Sequence, residues 1–226
     1  MTEAVIIFAR LPQKGKVKTR IAKTLGEKFA VDFYKACAEN TFNECRKIAS
    51  NNLDIYIFYA DKNDKKLMKN WAGSEFRLFP QSGEDLGKRM LNAFKQVFAE
   101  GVRRAILIGT DIPGISSKVI SDSLISLCKS DVVIGPAKDG GYYLIGMNKL
   151  YGFLFEKIEW GSGKVFSDTL NRISLHNIER QIVAELYDID TEEDLKNWMS
   201  EGQEAENNKV RDFVHGYYSS IKSLII

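Results

Sequence analysis

Short apolar runs alternate with stretches of helical periodicity from residue 4 to residue 135, and this alternation limits the fold more than any other feature. Val5-Ile6-Ile7-Phe8, Leu53 to Tyr59, Phe76 to Phe79, Ala105 to Ile108 and Asp131 to Gly135 read as strands. Between the first two, Phe29, Phe33, Ala36, Cys37, Thr41, Phe42 and Cys45 form one helical stripe, within a helix over residues 18–48 interrupted near Gly26. Lys65 to Trp71 predicts a short helix, Leu86, Met90, Phe94 and Val97 a longer one, and Ser116 or Ser117 to Leu127 another. Ala105 to Ile108 is apolar throughout, as a central strand covered on both faces must be. Strand–helix–strand repeats of this kind build a largely parallel sheet wrapped by helices. Tyr142 to Met147 breaks the pattern, because a parallel crossover needs about a dozen residues or more. It is either an antiparallel neighbour of 131–135 or a continuation of that strand around a functional loop. The expected architecture is an α/β fold with a mixed central sheet and helices on both faces.

Beyond this unit, residues 161–175 read as helix and Ile182 to Leu186 as the last core strand. Ser82 with Asp85, and Thr191 with Asp194, have the spacing of helix-start capping pairs. Residues 1–200 are expected to form one domain, since a chain of 226 residues suffices for a full core. The polar stretch 201–209 reads as a mobile connection. Phe213 to Ile226 is an apolar tail expected to dock on the domain or on a partner, so a homodimer is open.

Formal net charge is only +2, so basicity is local rather than spread over a face, which argues against a nucleic-acid partner. Cys37, Cys45 and Cys128 contain no Cys-x-x-Cys pair, and His176 and His215 stand alone, so structural zinc and a disulfide framework are not expected. No extended apolar region precedes Arg10 and no stretch has the length of a membrane span, so the expected location is cytoplasmic.

The local basicity is Arg10, Lys14, Lys16, Lys18, Arg20 and Lys23, with no acidic residue from Ala4 to Gly26. A cationic loop after the first strand lies where open α/β sheets receive anionic ligands. Arginine forks and lysine charges suit phosphate oxygens, Gly15 permits close backbone approach, and a helix starting near Lys18 would add free N–H groups. The pattern is neither a Walker A loop nor a dinucleotide fingerprint. Asp111 follows the most apolar strand and reads either as a ligand for Mg2+ or Mn2+ shared with phosphate, or as a cap for the next turn. Asp139-Gly140-Gly141 reads as a ligand-approaching loop or as a plain turn. Asp188 and Asp190 alternate in an extended segment and so point one way, toward a metal, unless Asp190 serves the helix at Thr191. Trp160 is either a stacking platform or a hydrophobic anchor.

Several strings carry a resemblance. Arg10 through Arg20, Gly87-Lys88-Arg89-Met90, Gly109-Thr110-Asp111-Ile112-Pro113, the run from Gly135 to Gly146 and the run from Asp188 to Leu195 resemble a bacterial family of small glycosyltransferase-like proteins. Its members are often left as a domain of unknown function, and some are named arsenosugar-biosynthesis glycosyltransferases. The family is related to the nucleotide-diphospho-sugar transferase superfamily, with the GT-A (Rossmann-like) fold, which also holds molybdenum-cofactor and phospholactate nucleotidyltransferases. The resemblance covers residues 4 to about 198. It implies a nucleotide over residues 9–20, with Asp111 holding the metal and Asp190 a second contact.

The combined expectation is a metal-dependent transferase using a nucleotide-activated donor and Mg2+ or Mn2+. Glycosyl transfer to a small-molecule acceptor ranks first, nucleotidyl transfer releasing pyrophosphate second, and a non-catalytic nucleotide- or phosphometabolite-binding protein third. Asp111, Lys18 and Arg20 are the candidate catalytic residues. Ala9, Arg10, Gly15, Lys18, Thr19, Arg20, Arg89 and Thr110 would bind the nucleotide; Asp139, Gly140, Gly141 and Trp160 the sugar or acceptor.

Overall fold

The computed structural model describes residues 2–50, 52–201 and 209–222. Strands β1 (Glu3–Ala9), β2 (Leu53–Tyr59), β3 (Arg77–Pro80), β4 (Arg104–Ile108), β5 (Val132–Pro136), β6 (Tyr142–Met147) and β7 (Arg180–Ile182) form a sheet of order β3-β2-β1-β4-β6-β5-β7. β1 pairs in parallel with β2 and β4, and β2 with β3. β6 lies between β4 and β5 and is antiparallel to both, which resolves the short connection after residue 136. The sheet is therefore mixed, and the ends of β1 and β4 open on one edge.

Alternate residues of each strand enter opposite cores, as the period of two requires. Val5, Ile7, Ile57 and Ile108 meet Phe42 and Cys45 of α1 (Thr19–Ile48), Met68 of α2 (Lys65–Ala72) and Ile120 of α4 (Ser117–Ser126). Ala4, Ile6, Leu107 and Ile145 meet Met90, Phe94 and Val97 of α3 (Leu86–Ala99) and Ile173 of α5 (Val165–Leu175). A third cluster joins Ile21, Phe29, Phe33 and Cys37 of α1 to Leu195 and Trp198 of α6 (Glu192–Glu201) and Val210 and Val214 of α7 (Lys209–Lys222). The interruption in α1 falls at Gly26, whose φ of 85° and ψ of 157° lie outside the helical range.

Three expectations are corrected. α3 begins at Leu86, capped not by Ser82 but by Asp85, whose carboxylate accepts from the Lys88 backbone N–H at 2.7 Å. The last strand is Arg180–Ile182 rather than Ile182–Leu186, and all three residues are exposed, because β7 is a sheet edge and not a core strand. Leu186 makes only an isolated bridge to Ala137. Of the stretch 201–209, Glu201 ends α6 and Lys209 starts α7, while 202–208 lie outside the described residues. Much of the tail docks as α7, where Phe213 and Tyr217 contact the Phe29 ring; 223–226 lie outside the described residues. No described helix is long and apolar enough to cross a membrane.

Trp198 is 1% exposed at the centre of the third cluster. Trp198→Ala should lower unfolding free energy by about 3–5 kcal/mol, measured by urea denaturation, if this cluster belongs to the same cooperative unit as the sheet.

Candidate active site

β1 ends at Ala9, and the following loop is shaped from within. The Arg10 guanidinium donates to the Lys16 carbonyl at 3.1 Å, and Gly15 holds a positive φ of 72°. The Arg10 backbone N–H donates to the Tyr34 hydroxyl at 3.0 Å, and that hydroxyl lies 2.9 Å from Thr110 Oγ1. Tyr34 thereby ties the first loop to the end of β4. Burial, reinforced by Asp111, raises the Tyr34 phenol above its ordinary value, so it is a neutral hydrogen-bonding group and not a base.

The loop ends at Lys18, a non-glycine residue in the left-handed region (φ 44°, ψ 46°) that immediately precedes α1. Its side chain is 2% exposed, and Nζ stands 3.0 Å from Asp188 Oδ1, 3.1 Å from Asp190 Oδ1 and 3.2 Å from Asp111 Oδ1. Burial alone would depress this ammonium, but Asp111, Asp188 and Asp190 outweigh it and raise Lys18 well above its usual value. Asp188 is the most enclosed carboxylate, at 28% exposure against 42% for Asp111 and 49% for Asp190. Burial, with Asp111 and Asp190 nearby, pushes it up to about 7 against the pull of Lys18. Fully ionised, one ammonium and three carboxylates leave the cluster doubly negative. Arg20 reaches its rim, 4.0 Å from Asp190.

Two clefts meet here. One, of about 320 Å3, is lined by Arg10, Lys16, Lys18, Thr19, Arg20, Asp111 and Asp190. Lys18 makes no side-chain cap at the start of α1, so that helix end presents backbone donors to this cleft. The other, of about 330 Å3, is lined by polar residues that include Arg10, Thr110, Asp111 and Asp188 and by the apolar Phe8, Leu86, Met90 and Trp160. Trp160 lies against the first turn of α3: a Cβ on Gly87 would come within 2.5 Å of its Nε1, so glycine is required there. Its ring meets Tyr142 edge-on, with centroids 6.3 Å apart.

The structure gathers most of the residues singled out in the sequence. Ala9, Arg10, Lys18, Thr19, Arg20, Thr110, Asp111 and Asp190 surround the joined clefts, and Arg89, Asp139, Gly141 and Trp160 line the larger one. Gly15 and Gly140 line neither. Asp139 accepts from the Gly141 N–H at 2.9 Å, and the Gly140 carbonyl accepts from the Phe166 N–H at 3.0 Å, so this segment is a turn that buttresses the Trp160 loop. Ser116, not Asp111, caps α4, and Thr191 with Asp194 caps α6, which leaves the Asp111 and Asp190 carboxylates to the cluster. Tyr34 and Gln81 carry parts of the site that the sequence did not flag, and Gly87 is marked there only as part of a resemblance string, with no role. A helical tyrosine has no local signature, and the need for Gly87 arises from Trp160 and the Phe155 carbonyl, both remote in sequence.

Among the described residues, no group of three or more His, Cys, Asp or Glu side chains stands ready to hold a metal ion. The donor chemistry at Lys18 nonetheless fits one: three carboxylate oxygens converging on one point are the ligands that Mg2+ and Mn2+ prefer. The point of convergence is held by an ammonium.

This sheet order, with its cationic loop after β1 and its acidic edge after β4, is the nucleotide-diphospho-sugar transferase fold. A candidate nucleotide-diphospho-sugar transferase from Desulfovibrio desulfuricans G20 matches with a TM-score of 0.90 at 27% identity, over 99% of this chain and 98% of that one. The chain belongs to the family described as an uncharacterized protein conserved in bacteria (DUF2064), which matches residues 43–162. Two further structures share the fold. One is 4-diphosphocytidyl-2C-methyl-D-erythritol synthase from Anaerococcus prevotii DSM 20548, with a TM-score of 0.55 and 16% identity over 87% of this chain and 95% of that one. The other is a Mycobacterium tuberculosis H37Rv protein in complex with manganese, with a TM-score of 0.55 and 9% identity over 88% of this chain and 98% of that one. No curated protein matches this chain.

The elevated Asp188 has a testable consequence in metal-free buffer. The folded carboxyl keeps its proton above the pH of about 4 at which the unfolded chain releases it. Its contribution to stability is complete below that pH and is lost as pH rises through about 7. Urea unfolding should show wild type losing stability relative to Asp188→Asn across this window, by at most about 1.4 kcal/mol per pH unit. A pH-independent difference would contradict the assignment.

Proposed function

We propose that this protein is a metal-assisted transferase acting on a nucleotide-activated donor, with glycosyl transfer to a small-molecule acceptor as the leading reaction. The observation that carries the reading is the meeting, in one cleft, of an uncapped cationic helix start with a convergent set of carboxylates. Arg10, Lys16, Arg20 and the N–H groups opening α1 would hold the donor's phosphates, since a helix N-terminus and arginine forks both favour anions. Asp111 and Asp190, with Asp188 beside them, would hold Mg2+ or Mn2+. That ion, when bound, supplies stabilisation for negative charge building on the leaving phosphate oxygen. The apolar lining of the larger cleft, with Trp160, Leu86 and Met90, gives a ring of the donor or acceptor a face to rest on. Membership of the arsenosugar-biosynthesis type of glycosyltransferase is the finer reading that the sequence resemblance suggests.

Nucleotidyl transfer is the second reading. The density of cations at Arg10, Lys16, Lys18 and Arg20 would also suit a triphosphate chain. The two differ in product: glycosyl transfer releases a nucleoside diphosphate or monophosphate, nucleotidyl transfer releases pyrophosphate. A thermal-shift panel of nucleotides and nucleotide sugars, with and without Mn2+, tests the class, because a ligand that binds only the folded state raises its apparent stability. No shift with any of them would argue against both reactions.

Asp111→Asn should leave the fold intact, since this carboxylate lies 42% exposed at the rim. It should weaken Mn2+ binding by at least about tenfold. Calorimetric titration checks this, and wild-type Mn2+ affinity in the variant would remove Asp111 from the metal site.

A further inference from the structure

Lys18 has two apparent roles that exclude each other in a single conformation. It lines the cationic cleft with Arg10, Lys16, Thr19 and Arg20, where a phosphate chain would lie. Its ammonium is nevertheless held by Asp111, Asp188 and Asp190, and Asp111 and Asp190 form the acidic part of that same cleft. The ammonium donates hydrogen bonds to Asp188 and Asp190 and pairs with Asp111 at 3.2 Å, so its charge is committed to carboxylates and not to a phosphate.

We propose that Lys18 and the divalent cation are alternative occupants of one carboxylate cage, so that metal entry turns the Lys18 ammonium out into the phosphate cleft. This rests on the metal-assisted reading above. Charge is the driving term. With Lys18 inside and all three carboxylates ionised, the cage is doubly negative and faces the place where an anionic ligand must sit. Exchange for a divalent ion makes the cage one charge less negative and adds one positive charge to the cleft. Geometry permits the move, because lysine carries its charge on a flexible four-carbon stem, and the stem already borders both spaces. Arg20, 72% exposed at the rim, is free to follow the same ligand without leaving a buried carboxylate unpaired. In the absence of metal, Lys18 keeps three mutually repelling carboxylates together. In its presence, Lys18 becomes a phosphate ligand. The exchange couples the two ligands: metal strengthens binding of a phosphate chain, and by reciprocity the phosphate chain strengthens binding of metal.

The test uses the full chain, stripped of metal with a chelator. Lysine amines are labelled with an amine-reactive reagent and located by mass spectrometry, with and without saturating Mg2+. Lys18 should be protected without the ion and labelled with it, while Lys28 and Lys118 on the outer surface react equally in both. Calorimetry with Mn2+ then compares wild type with Lys18→Met. Removing the internal competitor should tighten Mn2+ binding by about 5–150-fold, while pyrophosphate, used as the phosphate probe, should lose its Mn2+-dependent gain in affinity. Mn2+ binding to wild type with Lys18 still protected overturns the exchange and leaves the metal-assisted reading standing. Equal or weaker Mn2+ affinity in a folded Lys18→Met variant also overturns it. Failure of both proteins to bind Mn2+ overturns the metal-assisted reading and the exchange with it. Should Lys18→Met not fold, the labelling of wild type decides the matter alone.

Discussion

One ammonium organises the functional edge of this molecule. Lys18 comes from the loop after the first strand, Asp111 from the end of β4, and Asp188 and Asp190 from the segment before α6. These segments have no covalent reason to be close: Lys18 and Asp188 are 170 residues apart. A charge this deeply enclosed is tolerated only if paired, and three carboxylates share that task. The cleft geometry, the entry of the chain into α1 and the approach to α6 all follow from satisfying that one group.

The sheet supplies the frame on which the ammonium acts. Parallel pairing of β1 with β4 brings the residue 10–18 loop and the residue 109–111 turn to the same edge. The antiparallel β6 enters between β4 and β5, so the turn at 137–141 returns to that edge without a crossover helix and props the Trp160 loop. Tyr34 fastens the assembly from below through Arg10 and Thr110. Fixed backbone elements thus bring the charged side chains of the site together from distant parts of the chain.

Much of this was legible in the chain itself, for reasons that differ by residue. Strand positions were readable because all-apolar runs such as Ala105 to Ile108 have few alternatives. The clustering of Ala9, Arg10, Thr110 and Asp111 followed from the parallel topology, which places successive strand ends side by side. The paired acids were readable at Asp188-Ile189-Asp190, where alternation in an extended segment gives them one direction, rather than at the central strand, where Thr110-Asp111-Ile112 offers a single acid. What escaped was anything set by rotamer or by distant contact. A lysine in a basic loop gives no sign that it folds back onto carboxylates, and Ser82 gives no sign that Asp85 will cap the helix itself. The edge strand was misplaced because Arg180 and Gln181 lack the apolar pattern that marks a buried one.

The break in α1 at Gly26 separates a short segment that lines the cationic cleft from the long portion that lies on the sheet. That short segment is held from the opposite end of the chain: Ile21 packs in the cluster with α6 and α7, and the Tyr217 hydroxyl donates to the Leu25 carbonyl at 3.2 Å. The C-terminal helix thus braces, from the far end of the chain, the short segment of α1 whose first residues line the cationic cleft.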